Sequence, residues 1–394
     1  MLQVKVFRHQ VYRPTRPISP HFLLRPGAPH SVGEREFRRR MQAVGAAYRR
    51  AGVRRIYLAH GTPLGPDAVG MLARLARAFP AAGRAVRRVT ARIIGALTGE
   101  VGSYTPQYAR CLEAALREPG QPAIPVRLFH WSGENHHIGR GDGAVRLIDE
   151  LAALDLAPGS RVMLWGHSHA GNVFALLSHL LGDRRQTAEP FFKAAEIYYR
   201  WPLLRCVDIP LWNRVRRLLL AADPPAPDPV ALDVVTFGTP IRYGWNAGGY
   251  SKLLHFVHHR PVPGMPHYLA VFPPKLDDVL RAADGDYVQQ LGIAGTDLPP
   301  SLCAWRARLA NRRLAQLLQE QLPPGGLERF RAGTIVPDEG TTLLVDYGLP
   351  RCGIARHYAG HAVYTYRKWL LFHAEEIARR FYAADSDREW EGVA

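Results

Sequence analysis

Short apolar runs alternate with helical patterns along most of this chain, and that alternation narrows the fold more than any other feature. The strand-like runs are Val4–Phe7, Arg55–Ala59, Pro125–His130, Arg161–Trp165 and Leu232–Phe237. Each is rich in β-branched or aromatic residues, as strands buried on both faces of a parallel sheet must be. Helical patterns fall between them at Glu34–Arg50, Pro66–Ala78, Gly143–Leu154 and Ala170–Leu181. Strand–helix alternation predicts an α/β fold with a mostly parallel, doubly wound sheet. Further strands are expected at Leu253–His258, Tyr287–Ala294 and Thr341–Asp346. Helices are expected at Leu302–Leu322 and Tyr364–Tyr382. Two segments read as insertions, Phe79–Tyr104 and Phe191–Leu220. The second leads into the proline-rich linker Asp223–Pro229, which can be neither helix nor central strand.

The chain has 394 residues, of which 47% are hydrophobic, enough to bury a sizeable core. Its cysteines, Cys111, Cys206, Cys303 and Cys352, are far apart and form no metal or disulfide pattern. Arg8, Arg13 and Arg16 interrupt the N-terminal segment, which therefore has no apolar signal core. No run reaches the roughly 18 apolar residues that a membrane span needs. A cytoplasmic location is the expectation. The formal net charge of +17 comes mostly from arginines spread over many helices. Without a basic tail or a recognised motif it does not predict nucleic acid as a partner. It leaves a peripheral contact with an anionic membrane surface open.

The strongest chemical signal is the stretch Arg161–Ala175, RVMLWGHSHAGNVFA. An apolar strand runs into a turn of small residues with Ser168 at its centre, and a helix follows. So sharp a turn requires small residues two before and two after the serine, and Gly166 and Ala170 meet that need. The strained backbone lifts the hydroxyl above the sheet. The next backbone N–H, that of His169, is then aimed where an oxyanion would form.

This nucleophile elbow resembles that of the α/β-hydrolase superfamily, in its lipase and esterase branch, with Ala170 where the second glycine of GxSxG usually stands. Two more segments are similar, in the right order. One is the strand ending His60-Gly61-Thr62-Pro63, where the resemblance implies that the Thr62 N–H completes the oxyanion hole; Pro63 has no N–H to offer. The other is the run Thr236–Pro240, TFGTP, on the strand after the nucleophile helix. Its Gly238, Thr239 and Pro240 are expected to line the site rather than react.

A serine nucleophile needs a base of near-neutral pKa, which means histidine. The resemblance implies a position near the C-terminus after a late strand. His361, in Ala359–Val363, is the choice there, with His357 as an alternative and His373 structural. The acid is expected at Asp297, in a strand-Gly-x-Asp-x-x-Pro segment similar to the superfamily's, with Asp346 as the alternative. His255, His258, His259 and His267 cluster in sequence, as do His136 and His137, but their spacing matches no metal motif. They are read as structural or site-lining. The loop Trp131–His137 follows the C-terminal end of a strand, where ligands bind in open α/β sheets.

The reading is therefore a single α/β-hydrolase domain over residues 1–394 with a helical cap at 191–220. The cap's aromatic and basic residues, including Trp201 and Trp212, would cover an apolar acyl chain. The expected reaction is hydrolysis of a carboxylic ester, of a small molecule or a lipid, with no cofactor and no metal. The same residues would serve a thioesterase or an acyltransferase. A fold of this kind also occurs as a non-catalytic binding protein.

Overall fold

The computed structural model describes residues 7–8, 15–61, 102–201, 207–221, 230–270, 276–294, 299–319 and 334–383. Most of the expected strand Val4–Phe7, the helix Pro66–Ala78, nearly all of the insertion at 79–104 and the linker at 223–229 lie outside them.

Seven strands form one sheet: β1 (His21–Leu24), β2 (Val53–Ala59), β3 (Val126–Phe129), β4 (Arg161–His167), β5 (Ala231–Phe237), β6 (Lys252–His258) and β7 (Thr341–Val345). Their order is β1-β7-β6-β5-β4-β2-β3, and every pairing is parallel. The chain steps outward from β2 to β3, returns to β4, and then advances the other way through β5, β6 and β7. The order thus reverses between β2 and β4. The C-terminal ends of those two strands flank the crevice where an open α/β sheet receives ligands.

Side chains alternate along each strand with period two, so each central strand feeds two cores. On one face lie Ile56, Leu58, Met163, Trp165, Val235, Phe237, Leu254 and Phe256. Against them pack α1 (Arg35–Arg50), α2 (Pro106–Ala115) and the C-terminal helix Leu370–Tyr382. The other face carries Tyr57, Ala59, Val162, Leu164, Leu232, Val234 and Leu253. Its helices include α3 (His137–Ala152), α4 (Ala170–Gly182), α5 (Arg184–Ala194), α6 (Glu196–Tyr199) and α7 (Pro210–Leu220). The sheet is therefore covered on both faces.

Several elements differ from the sequence reading. The edge strand β1 and helix α2 were not expected; Thr105 caps α2, its hydroxyl accepting the Tyr108 N–H at 3.1 Å, and Pro106 opens it. The run Tyr287–Ala294 is not a strand but a helix, labelled here α8. A short apolar run is ambiguous between the two states, and the decision lies just before it. Asp286 accepts the Gln289 N–H at 2.9 Å, a helix-start geometry, and Tyr287 and Ile293 turn inward. The long helix expected at Leu302–Leu322 is described as α9, Trp305–Gln319. The last segment reaches its helix only after two short 3-10 turns, Tyr358–Thr365 and Arg367–Trp369.

Candidate active site

Ser168 stands at the end of β4, beside the reversal of strand order. Its φ is +55°, a left-handed backbone that a side-chain-bearing residue adopts only under constraint from its surroundings. The constraint is visible on both sides. The Ser168 N–H donates to Phe237 O at 2.9 Å, and the Thr239 hydroxyl donates to Ser168 O at 2.7 Å. Helix α4 begins immediately afterwards, with His169 at its cap. The small residues of the turn are required by contact. A Cβ on Gly166 would lie 2.6 Å from the Phe174 ring, and one on Gly171 would lie 2.3 Å from Thr239 Oγ1.

The His60-Gly61 turn at the end of β2 abuts the serine: a Cβ on Gly61 would meet Ser168 Cβ at 2.4 Å. The turn is held from the neighbouring strand. The Trp131 indole donates to His60 O at 2.8 Å and stacks on the His60 ring, while His60 Nδ1–H donates to Gly61 O at 2.9 Å. So Trp131, from the loop after β3, shapes this turn. Thr62, the second expected oxyanion donor, lies outside the described residues.

His361 comes from the far end of the chain to the same place. Its ring lies 4.6 Å from that of His167, the residue before Ser168, and His167 Nε2–H donates to His361 O at 3.1 Å. His361 Nδ1–H donates to Asp286 Oδ2 at 2.7 Å. Its Nε2 is buried with no hydrogen-bond partner among the described residues. Ser168, His361 and Asp286 are 3%, 6% and 0% exposed, so this polar group sits in a nearly water-free setting.

The carboxylate beside His361 is thus neither of those expected. Asp297 lies outside the described residues. Asp346 ends β7 but turns to Arg25 and Arg260, each at 3.3 Å, and its Oδ1 accepts the Gly348 N–H. Asp286 reaches the histidine because the chain leaves β6, makes an excursion, and returns to its end. Asp286 N–H donates to His258 O at 2.9 Å, and Gly285 forms a bridge with His259. Two glycines permit the approach: a Cβ on Gly360 would lie 2.1 Å from Gly285 O. Gly360 and Gly285 each precede a member of the pair. Sequence reasoning looked for the acid at the end of a strand. The signal it passed over is Asp286-Tyr-Val-Gln289, a helix-start pattern that also fixes a carboxylate.

Burial is the largest influence on Asp286 and raises its carboxyl. The His361 imidazole, the Gln289 N–H and the Tyr364 hydroxyl together outweigh it and hold the group below the usual carboxylate range. His167 is pushed down to about 3, chiefly by burial and then by His361, so it is a neutral donor in the working range.

Three other histidines of the sequence clusters are hydrogen-bonded within the fold. His255 bonds the Thr236 hydroxyl and Glu339 O, His258 bonds Val345 O, and His137 bonds the Tyr243 hydroxyl. Among the described residues no group of three or more His, Cys, Asp or Glu could hold a metal ion.

Several aromatic residues of the expected cap 191–220 pack into the core. Phe191, Phe192, Tyr199 and Trp212 are fully buried in the core shared with α3 and α4. Trp212 stacks on Phe191 and Tyr199, and its indole donates to Asp142 Oδ1 at 2.7 Å. These side chains contribute to the packing of that core. Trp201 differs: it is 38% exposed, with the Arg306 guanidinium over its ring at 4.7 Å.

The chain matches no protein-family model, no curated protein and no solved structure. The α/β architecture and the geometry at Ser168 therefore stand on their own. Among the described residues no helix is long and apolar enough to cross a membrane.

Proposed function

We propose that this protein is a serine hydrolase with an α/β-hydrolase-like fold that cleaves carboxylic esters. The observation that carries the reading is the His361–Asp286 pair beside the strained Ser168 turn. A buried carboxylate holds Nδ1–H, which leaves Nε2 as the basic nitrogen. Ser168 Oγ attacks the ester carbonyl while His361 Nε2 takes the hydroxyl proton. The N–H groups of His169 and, by the resemblance, Thr62 hold the oxyanion. The tetrahedral intermediate collapses, the alkoxide leaves with the proton from His361, and an acyl-serine remains. Water then attacks the acyl group, losing its proton to His361, and the acid departs as Ser168 recovers its own. Asp286 keeps the imidazole in the needed tautomer and supports the imidazolium that forms in each half-reaction. Small-molecule and lipid esters both suit this chemistry, and a cytoplasmic enzyme is the setting we infer.

The test is a fluorophosphonate probe followed by a series of p-nitrophenyl esters of increasing length. Wild type should label at Ser168 and turn over. Ser168→Ala should lose labelling and at least about 10³-fold in turnover while keeping its melting temperature. Wild type that neither labels nor turns over any ester would leave a binding protein as the better account.

A further inference from the structure

We propose that Tyr364 is a positioning residue for the acid–base pair: its hydroxyl, oriented by the last amide of β6, holds Asp286 Oδ2 where that oxygen receives His361 Nδ1–H. The inference rests on the reading of His361 as the general base. It adds a residue that neither the motif nor the fold assigns.

The geometry fixes the direction of every proton involved. The His258 N–H donates to the Tyr364 hydroxyl oxygen at 2.7 Å. An amide N–H can only donate, so the hydroxyl's own proton must point elsewhere. It points to Asp286 Oδ2, 2.9 Å away. That oxygen also accepts from His361 Nδ1, while Oδ1 accepts the Gln289 N–H. The carboxylate is thereby held by the start of α8 and by the 3-10 turn that carries both His361 and Tyr364, with β6 orienting the tyrosine hydroxyl. Tyr364 lies one turn beyond His361, so one short segment supplies both the base and the group that steadies its partner. Gly238 leaves the room: a Cβ there would sit 2.4 Å from the Tyr364 ring and 2.6 Å from Asp286 Oδ2.

Tyr364 is fully buried, and burial together with the Asp286 charge holds its hydroxyl well above the ordinary tyrosine range. It therefore stays a neutral donor around neutral pH. The other titratable groups facing the pair are His167 from the β4 turn, His258 at the end of β6 and Tyr347 after β7, with the charges of Asp346 and Arg260 acting on His258. Among the described residues none of these donates to Asp286.

Each hydrogen bond to a carboxylate disperses its charge and weakens its hold on an imidazolium. Removing the tyrosine hydroxyl should concentrate charge on Oδ2, stabilise protonated His361 and raise the pH at which it titrates. The experiment follows the His361 ring nitrogens by NMR in histidine-labelled protein across pH. Tyr364→Phe should move the midpoint up by about half a pH unit or more. The pH at which fluorophosphonate labelling reaches half its plateau should rise with it. Tyr347→Phe deletes another buried hydroxyl, the one 2.7 Å from His373 Nε2, and should leave the midpoint in place. Site-specific 3-fluorotyrosine at 364, a stronger donor of nearly the same shape, should move it down, and this arm decides the matter if Tyr364→Phe does not fold. A midpoint that ignores both changes at 364, or moves equally in Tyr347→Phe, overturns the proposal. The titration needs no turnover. Failure of Ser168 to label would sink the hydrolase reading without touching this measurement.

Discussion

At the scale of single residues, two aspartates divide roles that the sequence alone does not separate. Asp346 ends a strand and faces two arginines at a partly open edge, whereas Asp286 is sealed with His361, Gln289 and Tyr364. The consequence is a sharp asymmetry between the same substitution at the two positions. Asp286→Asn keeps the shape but stabilises the wrong imidazole tautomer, and should lower ester turnover by as much as about 10⁴-fold. Asp346→Asn removes ion pairs of the kind that contribute about 0–1 kcal/mol, and turnover should stay within about twofold of wild type. Steady-state kinetics on one short ester compares the two directly. Equal losses would remove Asp286 from the mechanism.

At the scale of elements, the aromatic residues of the segment 191–220 serve the core packing. Interleaved aromatic and basic residues suggested a cover over an acyl chain. The helices α5 and α7 instead turn their aromatics inward onto α3, around Trp212. Trp212→Ala should behave as a core truncation. Its expected cost is about 3–5 kcal/mol, with the Asp142 carboxylate left to Arg146 alone. Calorimetry or denaturant unfolding should record that loss, while the ratio of octanoate to acetate ester turnover stays at the wild-type value. A flattened ratio with unchanged stability would favour the cap instead.

At the scale of the whole molecule, the buried histidines set the response to acid. Burial lowers His167 and His373 to about 3 and His255 and His259 to about 4, against 6.5 for an exposed ring. The unfolded chain therefore binds more protons than the folded one below pH 6.5. Stability is fully present above that pH and falls as pH drops from about 6.5 toward 4. Each of these histidines contributes a slope of up to about 1.4 kcal/mol per pH unit in that window. Asp286, whose folded value is lowered, adds a further loss only below the ordinary carboxylate range. Melting temperature should thus decline steeply below pH 6 in buffers of constant ionic strength. A melting temperature flat between pH 7 and 4.5 would contradict the burial of these rings.

By itself the sequence determined the elements whose signals are local. Short continuous apolar runs specify β2 to β7 within a residue or two, because each strand is buried on both faces of the sheet. Ser168 was legible because an elbow demands small residues at fixed offsets along one continuous stretch. His361 was legible only by resemblance, from a glycine–histidine pair after a late strand. Tertiary structure alone decided which carboxylate meets His361. Asp286 and His361 meet through the contact of Gly285 with Gly360, and no periodicity links positions so far apart. It also decided the state of 287–294, where a short apolar run suited strand or helix equally until Asp286 capped it. And it decided the fate of Trp212, since an aromatic side chain carries the same sequence signal over a pocket as inside a core. Only the packed neighbours distinguish the two.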